Sequence, residues 1–411
     1  VQKVRLIKWL LITGFCSALV PESIAQDVPK SSWPESVAED ATVDLFNALM
    51  LFDHLFMKST TATSPDYLKR VSDPSSKLYR DYLEYKSGRI DQAELVRRLP
   101  HIAMIGDSLS KNFYISSPAS MLWRARTERQ RDWFLDTDSS PDTIESLYER
   151  LNQSTPLVAT EYSSPGALVT SNQARIPFWR HLARTQYLAS QVTKVTETKR
   201  FPDVILLWIG HNNTDWPTFL SEAEQKAPAK HLRQIAQQFG TDYTAELKTL
   251  IDRAKAQNHR VAFVVFGLAD FKTFFEMRRK AAAAHAGNPA LYPYYDKTCQ
   301  YFPALQPQNQ ERTTQLGEML NAEIRKMVAT LNRDLKRNSN VRLEYSDALS
   351  QINLDDLKGF NRMDAWHPSV LGHDALADTA FKAIAPSLDF VGISRNPLGP
   401  VGDRPVQSQT R

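Results

Sequence analysis

Cysteine is nearly missing from this chain: Cys16 and Cys299 are the two among 411 residues. That excludes the disulfide framework that staples small secreted domains. Dense basic blocks are missing as well. Lysine and arginine are scattered and the formal charge is +4, so composition makes no case for nucleic acid or an anionic membrane surface as a partner. No repeat of solenoid type is visible. Three absent motifs narrow the chemistry. There is no Gly-x-Ser-x-Gly elbow, no Gly-x-x-x-x-Gly-Lys phosphate loop and no His-Glu-x-x-His zinc helix. Stability must therefore come from a packed core, and a chain of this length has room for one large α/β domain plus additions.

What is present begins with a targeting pattern. Lys3, Arg5 and Lys8 precede an apolar stretch over 9–20, and Ser23-Ile24-Ala25 follows it. This predicts a secretory signal peptide over 1–25, cleaved after Ala25, and hence a periplasmic or extracellular protein. The apolar core is shorter than the ~20 residues that span a bilayer, so no transmembrane span is expected after processing. Cys16 follows Phe15 rather than a small residue, which argues against lipoprotein attachment. Removing Lys3, Arg5, Lys8 and Glu22 lowers the formal charge from +4 by a net +2, to +2, and leaves Cys299 without an intramolecular partner.

Apolar runs at 101–105, 157–162, 203–209, 260–267 and 341–345 read as strands. Stretches with helical character separate them, among them 174–195, 245–256, 314–335 and 370–384. This alternation predicts a parallel sheet covered on both faces. Residues 26–100 read as a helical N-terminal extension, with a helix through Leu45, Leu51, Phe52 and Phe56 and a polar, loop-like stretch over 60–74. The catalytic domain is expected over 101–390 and a flexible tail over 391–411. Between 281 and 305, Asn288-Pro289 ends a helical alanine run. The tyrosines and prolines beyond it predict an aromatic loop on the side of the strand ends, which could equally wall an acyl pocket or simply pack against the domain.

The chemistry sits at strand ends. Gly106-Asp107-Ser108-Leu109 follows the first buried strand, where open α/β sheets bind ligands. A serine hydroxyl needs a base to take its proton, and the base needs an acceptor to hold its tautomer. Asp364 and His367, three residues apart on the loop entering the last predicted helix, can fill those two positions. Pro368 suits a helix start. Asp107 is expected to order its own turn through backbone hydrogen bonds. After the second strand, Ser163-Ser164-Pro165-Gly166-Ala167 brings a glycine N–H toward the site. After the third, Gly210-His211-Asn212-Asn213 offers the Asn212 amide to an oxyanion. His211 reads as a hydrogen-bonded loop histidine rather than a metal ligand, and His373 as structural. No cofactor or metal is implied.

With Ser108, Gly166, Asn212 and His367 in that order, residues 100–387 resemble the SGNH (GDSL) hydrolase superfamily. Ser-Pro-Gly-Ala, together with His367-Pro368-Ser369 before Gly372-His373, looks most like its phospholipase B-like, lipase-type branch. The resemblance implies a flavodoxin-like three-layer α/β/α sandwich with the nucleophile after its first strand. It also implies that the backbone N–H of Ser108 joins Gly166 and Asn212 in the oxyanion hole. Two positions depart from the pattern: Asn213 stands where the family has an acid, and Thr160 or Glu161 where the second block commonly begins with asparagine. The implied activity is hydrolysis of carboxylic esters through an acyl-enzyme on Ser108. Lipid or phospholipid esters are slightly favoured over acetylated carbohydrate. Alternatives are an acyltransferase, a carbohydrate acetylesterase using the same site, and a non-catalytic envelope binding protein.

Overall fold

Alternate residues of the central strands enter two different apolar clusters, which dictates the architecture. Ala103, Ile105, Ile205, Leu207, Phe263 and Val265 face one cluster, and Ile102, Met104, Leu206, Trp208, Val264 and Phe266 face the other. Both faces of the sheet are therefore covered, as continuous apolar strands require. The structure is a computed structural model and describes residues 59–111, 132–136, 144–170, 187–288, 291–292, 295–335, 340–351, 357–361 and 364–395. The expected signal peptide and the helix through Leu45 and Phe56 lie outside these residues, as do 174–186 of an expected helix and 396–411 of the expected tail.

Six strands form one sheet: β1 (Thr60–Thr63), β2 (His101–Gly106), β3 (Val158–Glu161), β4 (Val204–Trp208), β5 (Val261–Phe266) and β6 (Val341–Ser346). Their order is β1-β3-β2-β4-β5-β6. The last five are mutually parallel, with His101 opposite Val158, Ile102 opposite Val204, Val204 opposite Ala262 and Val261 opposite Val341. β1 runs antiparallel to β3. The order reverses beside β2, so the nucleophile segment leaves the sheet at a topological switch point, where a crevice opens at the strand ends.

On the first face lie α5 (Leu188–Thr196), α6 (Ala229–Lys255), α7 (Phe271–Gly287) and α8 (Gln310–Asp334), and on the second α4 (Leu147–Asn152), α9 (Val370–Ala383) and α10 (Ala385–Val391). Preceding them in the chain, α1 (Tyr67–Val71) and α3 (Gln92–Arg98) pack through Tyr67, Val71 and Leu95 on Val158 of β3, and α2 (Tyr79–Lys86) joins them through partly buried Tyr82 and Tyr85. This is the three-layer α/β/α sandwich with an N-terminal helical extension.

Three segments differ from expectation. The polar stretch over 60–74 holds β1 and α1 rather than loop alone, because β3 would otherwise be an open edge and Thr61 Oγ1 meets Thr160 Oγ1 at 3.1 Å across the pair. In the expected aromatic loop, Tyr295–Tyr301 forms a short helix. Pro368 does not begin α9. It pairs with Phe360 in an isolated bridge, and Ser369 caps the helix by accepting from the Gly372 N–H.

Candidate active site

Where β2 ends, Asp107 is fully buried and accepts four hydrogen bonds. Its Oδ1 takes the Leu109 N–H at 3.0 Å, while Oδ2 takes the N–H groups of Gly210 and His211 at 3.2 Å and His211 Nδ1 at 2.9 Å. The turn that carries Ser108 is thus stitched to the loop after β4. His211 Nε2 accepts from the Ala269 N–H at 3.3 Å, so the ring proton sits on Nδ1 and both nitrogens are occupied. Neither is left for a metal. Gly210, at φ 127°, turns the chain where a β-carbon would approach Phe239 Cε2 to 2.8 Å.

The turn after β3 is held to the same place. Ser164 N–H donates to Gly106 O at 3.1 Å, and the buried Lys111 donates to Ser163 O at 3.4 Å while standing 3.9 Å from Glu161 Oε2. Asn212 Nδ2 donates to Ala167 O at 3.0 Å. One amide hydrogen is used there, and among the described residues no partner takes the second. Asn213 Oδ1 accepts from the Val169 N–H at 3.0 Å and its Nδ2 donates to Thr170 Oγ1 at 3.1 Å. The residue that replaces the family acid therefore braces this loop. Gly166 (φ 73°) and Asn212 are brought together through Ala167.

Asp364 and His367 are paired. His367 Nδ1 lies 2.6 Å from Asp364 Oδ2, and both residues are buried. Asp364 Oδ1 also accepts from the Trp366 and His367 N–H groups at 2.9 and 3.1 Å. Burial by itself raises the Asp364 pKa, but the neighbouring His367 and the two backbone donors outweigh it and hold the carboxyl below its ordinary value. The pairing occupies Nδ1, so a base role at this residue would fall to Nε2. Ser108, 6 % exposed, forms no hydrogen bond with another described side chain; proton transfer would need the two to close on bound substrate, as unliganded sites often require.

Leu109, next to Ser108, and Trp366 and Pro368, on either side of His367, line one cavity of about 350 Å³. Its wall is mainly apolar and includes Trp208, Phe271, Phe274, Met277, Leu349 and Leu376. Asp270 at its rim already accepts from the Lys272 N–H and Thr273 Oγ1. The described side chains of Tyr292 and Tyr295 are not part of its lining, whose aromatic members are Trp208, Phe271, Phe274, Phe360 and Trp366.

Sequence reasoning missed two supports. Gln191 of α5 bonds both backbone groups of Gly106, accepting its N–H at 3.0 Å and donating to its carbonyl at 2.9 Å. Asn361 accepts the Asp364 N–H and donates its own N–H to His367 O. The three-residue spacing of Asn361 from Asp364 is a turn signal that could have found the second. His373, as expected, is structural: its Nδ1 accepts from the Trp133 N–H at 3.2 Å, and it is fully buried.

A family model for GDSL-like lipases/acylhydrolases matches residues 102–380. Among solved structures, the lipase Lip_vut3 from a goat rumen metagenome aligns at 11 % identity over 69 % of this chain and 97 % of its own, with a TM-score of 0.36. A second solved chain aligns at 10 % identity over 72 % and 99 %, with a TM-score of 0.39. No curated protein matches.

Proposed function

Since the chain belongs to the GDSL-like lipase/acylhydrolase family, a family of ester hydrolases, we propose that Ser108 is the nucleophile of a two-step acyl transfer. The observation that carries this reading is the buried Asp364–His367 pair at 2.6 Å, whose neighbours Trp366 and Pro368 line the same cavity as Leu109, the residue after Ser108. His367 Nε2 takes the Ser108 proton as Oγ bonds to the ester carbonyl carbon, and the carbonyl electrons move onto oxygen. Backbone N–H groups of Ser108 and Gly166 and the free Asn212 amide hydrogen hold that oxyanion. Collapse breaks the bond to the alcohol, which leaves with the proton from His367; water then repeats the sequence and releases the acid.

An apolar acyl group is the favoured cargo, because the adjoining cavity is lined mainly by aromatic and aliphatic side chains and the Asp270 carboxylate in its wall is engaged within the protein by the Lys272 N–H and the Thr273 hydroxyl. Export is supported by the basic and then apolar pattern of residues 1–25. The test is hydrolysis of p-nitrophenyl esters of increasing chain length by the wild type and by Ser108→Ala, with mass spectrometry after fluorophosphonate treatment. We expect a loss of about four decades or more in kcat for the variant and a phosphonyl adduct on Ser108 in the wild type. Near-normal turnover by Ser108→Ala, or an adduct elsewhere, would remove Ser108 as the nucleophile. A preference for acetyl over octanoyl esters would remove the apolar acyl group.

A further inference from the structure

Arg278 of α7 is 1 % exposed, and among the described residues no carboxylate forms an ion pair with it. A guanidinium buried without an acid is costly to keep, so what it touches matters. Its Nη1 donates to the backbone carbonyls of Asp364 and Ala365 at 3.0 and 2.9 Å, its Nη2 meets Cys299 Sγ at 3.2 Å, and its central carbon lies 4.4 Å from the centroid of the Tyr295 ring.

Those two carbonyls flank the strained point of the catalytic loop. Ala365 has φ 51°, a left-handed conformation that a residue with a β-carbon avoids. On the inner side of this turn the N–H groups are all taken: Trp366 and His367 donate to Asp364 Oδ1, and Asp364 donates to Asn361 Oδ1. On the outer side the carbonyls have Arg278. Without it, two buried acceptors would lose their donor. The peptide could then flip to relieve Ala365, drawing Asp364 Oδ2 away from His367 Nδ1.

We infer that Arg278 is a positioning residue of the Asp364–His367 pair, and that the Tyr295–Tyr301 helix is its support. The guanidinium fixes two consecutive carbonyls so that the strained turn presents His367 in one orientation, with the Tyr295 ring and Cys299 sulfur holding the guanidinium from behind. This gives the segment after α7 a task other than walling substrate. Nη1 alone holds both carbonyls, so a lysine ammonium can replace part of that contact, but it lacks the Nη2 that meets Cys299 and the planar face laid on Tyr295, which makes lysine a partial substitute here. The inference rests on the acyl-transfer reading above.

The experiment compares Arg278→Ala and Arg278→Lys with the wild type for kcat, KM and the rate of Ser108 labelling by a fluorophosphonate, with folding checked by circular dichroism. A misplaced base costs on the order of a hundredfold. We expect kcat and labelling to fall by about that factor in Arg278→Ala with KM within about threefold, and less in Arg278→Lys. Millimolar methylguanidinium should restore at least about tenfold to Arg278→Ala, while methylammonium restores less and neither rescues Ser108→Ala. Folded Arg278→Ala with kcat within about threefold of wild type overturns the inference, as does a loss confined to KM or indifference to methylguanidinium. If Arg278→Ala does not fold, Arg278→Lys decides on kcat and labelling. A wild type that fluorophosphonate does not label at Ser108 overturns the acyl-transfer reading and this inference with it; normal wild-type labelling with unaffected variants overturns this inference alone.

Discussion

Asn212 and Asn213 are adjacent and both buried, yet their amides have different tasks. Asn213 spends its oxygen and its nitrogen on the Val169 N–H and on Thr170, whereas Asn212 spends one hydrogen on Ala167 O and, among the described residues, has no partner for the other. Asn212→Ala should therefore lower kcat by about two to three decades, the usual cost of one oxyanion donor, with a smaller change in KM. Asn213→Asp keeps an acceptor for Val169 and loses a donor to Thr170, so its kcat should stay within about tenfold. Steady-state kinetics on one ester separates them, and the reverse ranking would move the donor role to Asn213. At this scale the sequence was legible where chemistry follows short spacing: Asp364 and His367 are three residues apart and do pair. It was illegible where partners are remote. Arg278 meets Asp364 across 86 positions and Gln191 meets Gly106 across 85, and nothing in the neighbourhood of an arginine on an α-helix or a glutamine on another announces such a carbonyl.

β2, β4 and β5 were readable because each is a short, mainly apolar run buried on both faces, and β6 because buried Val341 and Leu343 alternate with partly exposed residues. β1 was not, since Thr-Thr-Ala-Thr carries no apolar signal and becomes a strand by covering the edge of β3. The short helix after α7 was hidden by the prolines around it, which mark turns but not what lies between them. β2 also makes a demand of its own at its last residue. A β-carbon on Gly106 would sit 2.2 Å from Ser110 Oγ and 2.8 Å from Ser163 Oγ, inside two turns that the candidate chemistry needs. Ser110 is not free to step aside, because its hydroxyl donates to Trp208 O at 3.0 Å. Gly106→Ala should then cost about 1–3 kcal/mol of stability, the range for overpacking, and reduce kcat by shifting the Ser108 turn. Urea unfolding and turnover measured on the same preparation check both. Wild-type stability in this variant would show that Ser110 yields more easily than its bond suggests.

For the molecule as a whole, two buried histidines set its response to acid. Burial first, and Arg200 second, push His101 down to about 4, where its Nε2 lies 2.9 Å from Thr160 Oγ1. Burial first, and His367 second, push His373 down to about 3. Both have unfolded values near 6.5. Above about pH 6.5 neither state binds these protons, so the histidines contribute nothing to the pH dependence. Below it the unfolded chain takes them up and the folded protein does not, until pH falls through about 4 for His101 and about 3 for His373. Each group therefore removes about 1.4 kcal/mol per pH unit across its window. Asp364, held below its ordinary value, adds stability above the unfolded carboxylate pKa that is lost as pH falls through its folded one. Asp132, pushed well above that range by burial and then by Glu161, changes stability in the opposite sense. The carboxylates blur the total slope but not a difference between variants. His373→Asn keeps an acceptor for the Trp133 N–H and has nothing to titrate. Its unfolding free energy, measured in urea at several values between about pH 6 and pH 4.5, should decline less steeply than that of the wild type by about 1.4 kcal/mol per pH unit. Parallel declines would mean that His373 accepts a proton in the folded protein, against its complete burial.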